Sequence, residues 1–389
     1  MAVNSMTLED VYAFLNALHS QATGHSAIAP VTTADFVSMA TTTLQSGTET
    51  VYNAMMQTIG KTIFSSRPYG AKFTGIQADG VRWGGIVRKI SIADRVLPQD
   101  YVYHNNADGQ TVDQYEIRKS NVLEMRYFGS DVYEDFYTTF EKQIINAFNS
   151  PEQLGSFVAL QASEMSNKWE QYREELVRSN LCNFIGAKTD LNNGVIHLLT
   201  EYNAQTGLSL TAQDIYKPAN MADFFRWVRA RINTLARLMS ARSQLFQVQV
   251  TGKEISRHTP ADRLKIYLRA DALDQIDAMV NTITYHDEPL AYADVEGVDY
   301  WQAIDNPDRI SVTPVTIDSA GAFQTGNAQT LTDVFGVMFD EDAIAYNIKD
   351  YSIMNTPMNA RGRYINTFLS ANIQQMQDLT EKGIVLLLD

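Results

Sequence analysis

The residues that could do chemistry in this 389-residue chain are few and far apart. Gly60-Lys61-Thr62 ends like a phosphate-binding loop, whose first glycine lets backbone amides turn toward phosphate. That first glycine would have to stand at position 55, which is Met55, so the motif fails. No Gly-x-Gly-x-x-Gly occurs, which leaves a dinucleotide fold without a foothold. The histidines His19, His25, His104, His197, His258 and His286 stand singly, none at the i, i+4 spacing of a helical zinc site. His286-Asp287-Glu288 comes nearest to a ligand cluster, but neighbours on an extended chain point opposite ways, and a solvated loop is the simpler reading. Asp340-Glu341-Asp342 offers carboxylates for a cation or for general acid work. An acidic turn between two apolar strands accounts for it better. Cys182, beside Leu181 and close to Phe184, reads as a small core residue rather than a nucleophile. With no Gly-x-Ser-x-Gly elbow either, the expectation is no catalytic residue, no cofactor and no metal.

Composition narrows the classes further. The chain is 45% hydrophobic, 20% charged and 10% aromatic, with a formal charge of −14. Such an excess of acid is repelled by phosphate backbones, which argues against sequence-reading nucleic-acid recognition. It also keeps free subunits soluble and mutually repulsive. A single cysteine rules out an internal disulfide and fits a reducing compartment. Residues Met1 to Asp10 lack the basic-then-apolar order of a signal peptide, and no apolar run approaches the roughly 20 residues of a membrane helix. A soluble intracellular product of about two domains is expected.

The elements that must position any site follow from periodicity. Leu8, Val11, Tyr12, Leu15 and Leu18 predict an amphipathic helix, and about Glu49 to Ile59 a second. Ile86–Ile92 and Val122–Phe128 predict two strands that bracket a polar span, His104 to Gln114, with an Asp108-Gly109 turn. Such a hairpin is too polar to bury itself and is expected to pack on something outside its own domain. Asp131 and Glu134 fit a capping box, and Tyr133, Phe136, Tyr137, Phe140, Ile144 and Phe148 continue it as a helix. Pro151 then opens a long helical run of some thirty residues, a beam of roughly 45 Å. Met221 to Gln247 predicts another amphipathic helix, whose exposed side carries Arg226, Arg229, Arg231, Arg237 and Arg242. Ala187 to Leu210 reads as a loop with a short helix. Strands are predicted at Leu264–Leu268, Arg309–Val315, Val334–Phe339, Ala343–Asn347, Tyr364–Leu369 and Ile384–Leu388.

The order apolar strand (Val334 to Phe339), acidic turn (Asp340 to Asp342), second strand, then Pro357-Met358-Asn359-Ala360-Arg361-Gly362-Arg363-Tyr364 resembles the C-terminal segment of tailed-phage major capsid proteins. These have the Hong Kong 97-type fold, and the likeness is greatest to small short-tailed (picovirine) podophages with protein-primed genomes. The resemblance implies an α+β chain with an N-terminal arm at 1–71, an extended loop at 72–128 and a spine helix with peripheral domain at 129–190. It further implies an axial domain at 191–330 and C-terminal peripheral-domain strands at 331–389. In the family the extended loop lies across an adjacent subunit. Some relatives append an immunoglobulin-like domain, which is not expected here. Others crosslink a lysine to an asparagine; Lys89 with Asn105 or Asn106 lies in the loop, but no motif selects them.

The function implied is a major capsid protein that forms hexamers and pentamers and closes into an icosahedral shell around double-stranded DNA. Assembly would take place in the bacterial host cytoplasm, with a scaffolding protein and a portal as partners, unspecific DNA contact and no membrane. Candidate intersubunit contacts are Arg67, Arg88, Lys89, Arg118, Lys119 and Arg126, which could offset the acidic repulsion. The arginine side of Met221 to Gln247 could meet DNA or a neighbour's acids, although a solvated, partly paired face is the plainer reading. The alternatives are an encapsulin-like shell protein or a hydrolase whose site forms only in three dimensions.

Overall fold

The computed structural model describes residues 8–24, 33–47, 49–55, 76, 86–93, 115, 121–128, 131–148, 150–281 and 294–389. Its longest element is helix α4, Pro151–Asp190, after α1 (Leu8–Thr23), α2 (Thr33–Leu44) and α3 (Glu141–Ala147). Pro151 fits the first turn of α4 because that turn has no use for its missing N–H. Ser150 Oγ accepts from the Gln153 amide at 3.3 Å and satisfies one free donor there. Forty residues make a rod of about 60 Å, longer than the periodicity alone suggested.

The C-terminal half of α4 lies on a five-stranded sheet ordered β4-β14-β11-β5-β6. These strands are β4 (Val195–His197), β5 (Leu264–Arg269), β6 (Asp294–Val298), β11 (Val334–Asp340) and β14 (Gly383–Leu387). β4 runs parallel to β14 and β6 parallel to β5, while β11 is antiparallel to both its neighbours. Every residue of β5, β11 and β14 is buried. Strands covered on both faces read as near-continuous apolar runs, as β14 and most of β11 do, while β5 also buries Lys265 and Arg269. Val337, Phe339, Val385 and Tyr267 join Leu181 and Phe184 of α4 in one core. Met338, Ile384, Leu386 and Ile266 point the other way, onto Phe224, Val228 and Ile232 of helix α6 (Pro218–Ser240). Helices α5 (Leu198–Thr206) and α7 (Ala270–Asn281) complete that second layer. Gly336 sits at a register shift in β11, where an added Cβ would lie 2.5 Å from Leu268 Cδ2 and 2.8 Å from the Tyr267 carbonyl oxygen.

A second sheet, β12-β13-β3, is antiparallel and long. It consists of β3 (Asp131–Phe140), β12 (Ile344–Asn355) and β13 (Tyr364–Gln377). Its inner face, through Ile365 and Leu369, packs under Leu15 and Leu18 of α1, Phe36 of α2, Tyr52 in the helical stretch 49–55, and Ile144 of α3. The Tyr52 hydroxyl bonds Thr139 and Thr367 at 2.9 Å each, tying the N-terminal helices to two strands. Strands β1 (Ile86–Ile92) and β2 (Val122–Phe128) pair antiparallel over their whole length. The small pairs β7 (Ile310–Val312) with β10 (Gln329–Leu331), and β8 (Val315–Ile317) with β9 (Phe323–Thr325), complete the strands among the described residues.

Three expectations change. Residues 131–140 form strand β3, not the start of a helix, and ten register pairs with β13 hold it there. The same aromatics satisfy a period of two: Tyr133, Tyr137 and Thr139 face inward while Val132, Phe136 and Phe140 face outward. Within the stretch expected to be the N-terminal arm, helix α2 forms, and Thr41, Thr42 and Thr43 bond back to carbonyls four residues earlier. Pro314 splits the strand expected at Arg309 to Val315 into β7 and β8. Of the segment 331–389, only β12 and β13 belong to the three-stranded sheet. β11 and β14 instead form the middle of the five-stranded one, because their two-sided apolar runs demand cover on both faces.

Candidate assembly surfaces

The residues considered for chemistry are used structurally where they are described. Cys182 is buried with its thiol against the Trp301 carbonyl, and burial pushes its pKa up to about 12. His19 bonds Thr43 Oγ1 inside the N-terminal core, and His197 meets Asp389 at 2.8 Å. Asp340 and Asp342 share Arg263, whose guanidinium is 2.6 Å from Asp342 Oδ2, so the turn before β5 partly offsets the charge of the acidic turn. Among the described residues no three His, Cys, Asp or Glu side chains converge as metal ligands, and no helix is long and apolar enough to cross a membrane. Gly60-Lys61-Thr62 and His286-Asp287-Glu288 lie outside the described residues, as do Asn105 and Asn106. On α6, Arg226 pairs with Asp223 and Arg231 grips Glu201 at 2.7 and 2.9 Å, and just past its end Arg242 donates to the Ser256 carbonyl.

Of the six candidate contact residues, Arg67, Arg118 and Lys119 lie outside the described residues. Arg88, Lys89 and Arg126 sit on the β1–β2 hairpin, but on opposite faces. The inner face carries Leu123, Met125 and Tyr127 into the main core. Lys89 is on that side, 2.8 Å from Asp378 Oδ2 and 2.6 Å from Glu381 Oε1. Arg257 closes the cluster, 2.6 Å from Glu381 and bonded to Ser91 and Thr380. Burial opposes the Lys89 charge, yet Asp378 and Glu381 outweigh it and hold its pKa above the usual lysine value. Burial likewise opposes the Asp378 charge, and Lys89, Thr380 and Arg257 hold that carboxyl below its usual range. Glu381 is the member that burial pushes up. Lys89 is therefore an anchor of the hairpin within its own subunit rather than a free intersubunit group. Gln374 Nε2, which donates to the Tyr127 carbonyl at 2.9 Å, is a second anchor.

Arg88 and Arg126 face outward and share Glu124 Oε1 at 2.6 and 2.7 Å. Hydrogen bonds from Arg126 and then Arg88 pull the Glu124 carboxyl down to about 2, so this row stays ionised at neutral pH. Ile90, Ile92 and Val122 continue the same face and are 58%, 66% and 44% exposed. The outward face of the three-stranded sheet is apolar as well. Met354, Phe368 and Phe136 are register partners across its three strands, with Phe136 stacked on Phe368 at 5.4 Å. Met354 is 65% and Phe136 57% exposed. Sequence reading placed Phe136 in a helical stripe and missed this row; the outward alternation Val132, Phe136, Phe140 is the signal that could have found it.

A mixed helix-and-strand chain built on one long helix, with exposed apolar faces on the β1–β2 hairpin and the three-stranded sheet, fits the class of shell-forming capsid proteins that the family match defines. Residues 13–376 match the Phi29-like phage major capsid protein family, and the chain belongs to that family. Solved structures place the fold as the Hong Kong 97-type capsid fold. The capsid structure of Staphylococcus phage Andhra aligns with a TM-score of 0.51 at 10% identity, over 82% of this chain and 84% of that one. A chain in the structure of the head fiber and inner core protein gp22 of native bacteriophage P68 aligns at 0.54 and 10%, over 82% and 85%. No curated protein is detectably similar to this sequence.

Proposed function

We propose that this capsid protein assembles as hexamers and pentamers into an icosahedral shell that encloses a phage double-stranded DNA genome. The observation that carries the reading is the β1–β2 hairpin: one face is locked into its own subunit by a buried ion cluster, and the other presents exposed isoleucines. Exposed apolar surface of this kind marks interaction sites. Residues 1–71 act as the arm, 72–128 as the extended loop, and the segments around α4 and the two sheets as peripheral and axial domains. Arg67 near the end of the arm and Arg118 and Lys119 on that loop, with Arg88 and Arg126, serve as intersubunit contacts. The shell encloses DNA by confinement and unspecific contact, assembly takes place in the host cytoplasm with a scaffolding protein and a portal, and the subunit has no enzymatic activity. Electron microscopy of the protein expressed with neighbouring virion genes, sized alongside by sedimentation, tests this. Closed shells of uniform diameter containing no enclosed enzyme cargo are expected; small oligomers alone would overturn it.

A further inference from the structure

The connection between β13 and β14 is five residues, Asp378-Leu379-Thr380-Glu381-Lys382, and it joins the three-stranded sheet to the five-stranded one. Three charged residues and a threonine belong on a surface loop, because burying an unpaired charge is costly. Here all five residues are at most 5% exposed. The turn holds its own shape. Asp378 Oδ1 accepts from the Thr380 amide at 2.9 Å and from its hydroxyl at 2.6 Å, and the Glu381 amide donates to the Asp378 carbonyl. It is also tied to the other crossing between the sheets: the Asp378 amide donates to the Ala343 carbonyl and the Asp340 amide to the Lys382 carbonyl.

Neighbouring side chains of this turn reach different partners. Asp378 and Glu381 take Lys89 of the hairpin. Lys382 Nζ donates to the Ala241 carbonyl at 2.7 Å, to the Leu238 carbonyl at 3.4 Å and to Ser243 Oγ at 3.0 Å. Those carbonyls end α6, where the helix has no further N–H to offer them and a cation suits its dipole. Arg257 makes a second bridge. Its guanidinium holds Glu381 at 2.6 Å and Ser91 of β1 at 3.1 Å, while its backbone exchanges two hydrogen bonds with Ser243. Two routes therefore run from the hairpin to the end of α6, and both pass through buried charge. We propose that residues 378–382 and Arg257 act as a coupler: loosening the hairpin loosens the C-terminal end of α6, and loosening that end loosens the hairpin. The coupling runs both ways because one set of bonds serves both elements. It lies wholly within one subunit and holds whatever covers the hairpin's outward face.

Hydrogen exchange of the full chain, kept dilute and unassembled, tests the coupler. An amide responds to the loss of Lys89 only where its own opening also breaks the Lys89 cluster. Lys89→Met is expected to speed exchange about tenfold at residues 239–243, and equally at Arg257 and Thr259, whose amides bond Ser243 and Met239. Exchange in α1 and in the first half of α6, residues 219–228, stays at the parent rate. In the reverse direction, Lys382→Met speeds exchange in β1 and β2 by a similar factor. Arg88→Met, on the solvent side of β1, moves neither end. A response to Lys89→Met confined to the hairpin, or one as large in α1 as at the end of α6, overturns the proposal. Should either variant fail to fold, Ser243→Ala takes its place, because it removes one acceptor of Lys382 and touches no hairpin residue. Faster exchange in β1 then supports the coupler, and parent rates there overturn it.

Discussion

Lys89 and Arg88 are neighbours in sequence with opposite duties. Lys89 faces two carboxylates that are almost fully buried, so Lys89→Glu adds a third negative charge where none can be hydrated. Breaking a buried pair costs about 3–5 kcal/mol, and Lys89→Glu is expected to lower the urea unfolding free energy by that much. Arg88→Glu, on the solvent side, leaves the unfolding midpoint close to the parent value. Equal midpoints for the two variants would contradict the anchor role of Lys89. Lys188 offers a second test. Its ammonium is fully buried, donating to Asn193 Oδ1 and the Phe246 carbonyl, and burial lowers its pKa to about 7. The unfolded chain keeps this proton up to the ordinary lysine value, so unfolding takes up a proton between the two pKa values. Stability from this group is full above the unfolded pKa and falls as pH drops toward about 7. Denaturant titrations between about pH 7.5 and 10 are expected to show stability rising by up to about 1.4 kcal/mol per pH unit relative to Lys188→Met. Parallel profiles for the two proteins would refute it.

The strands of the central sheet have no spare room. At Gly336 the backbone of β11 passes so close to β5 that a methyl group would meet the Tyr267 carbonyl, and a carbonyl cannot rotate away as a side chain can. Gly336→Ala is expected to destabilise by about 1–3 kcal/mol, read from thermal and denaturant unfolding. An unchanged midpoint would show that β11 shifts freely. Strand β3 illustrates the opposite case, an element whose identity its own residues leave open. Its aromatics fit a helical spacing as well as an alternating one, and the helix that begins at Glu141 shows how close the balance is. The edge of β13 decides it, by offering a ten-residue ladder and an inner face already lined by Ile365 and Leu369.

Across the whole molecule, a net charge of −14 sets long-range repulsion against short-range apolar contacts. The Debye length falls from about 30 Å at 0.01 M salt to about 10 Å at 0.1 M, which screens repulsion between subunits more than contacts within an interface. The protein concentration at which purified subunits begin to assemble is therefore expected to fall over that range, as followed by light scattering. An onset that rises with salt would mean that ion pairs rather than apolar faces dominate the interfaces.

The sequence by itself determined what lies in local pattern. The β1 and β2 limits, the start of α4 at Pro151, the buried face of α6 and the lack of a catalytic motif all follow from periodicity, capping chemistry and spacing. It also carried enough likeness to place the family. Tertiary structure alone decided that 131–140 is a strand and that β11 and β14 join β5 rather than β12 and β13. It alone separated Lys89 from Arg88. Those choices depend on partners far away in the chain, more than 200 residues for β3 against β13 and for Lys89 against Asp378. No local pattern records which distant group a side chain will meet, because folding selects it by covering the most apolar surface while leaving no buried charge unpaired.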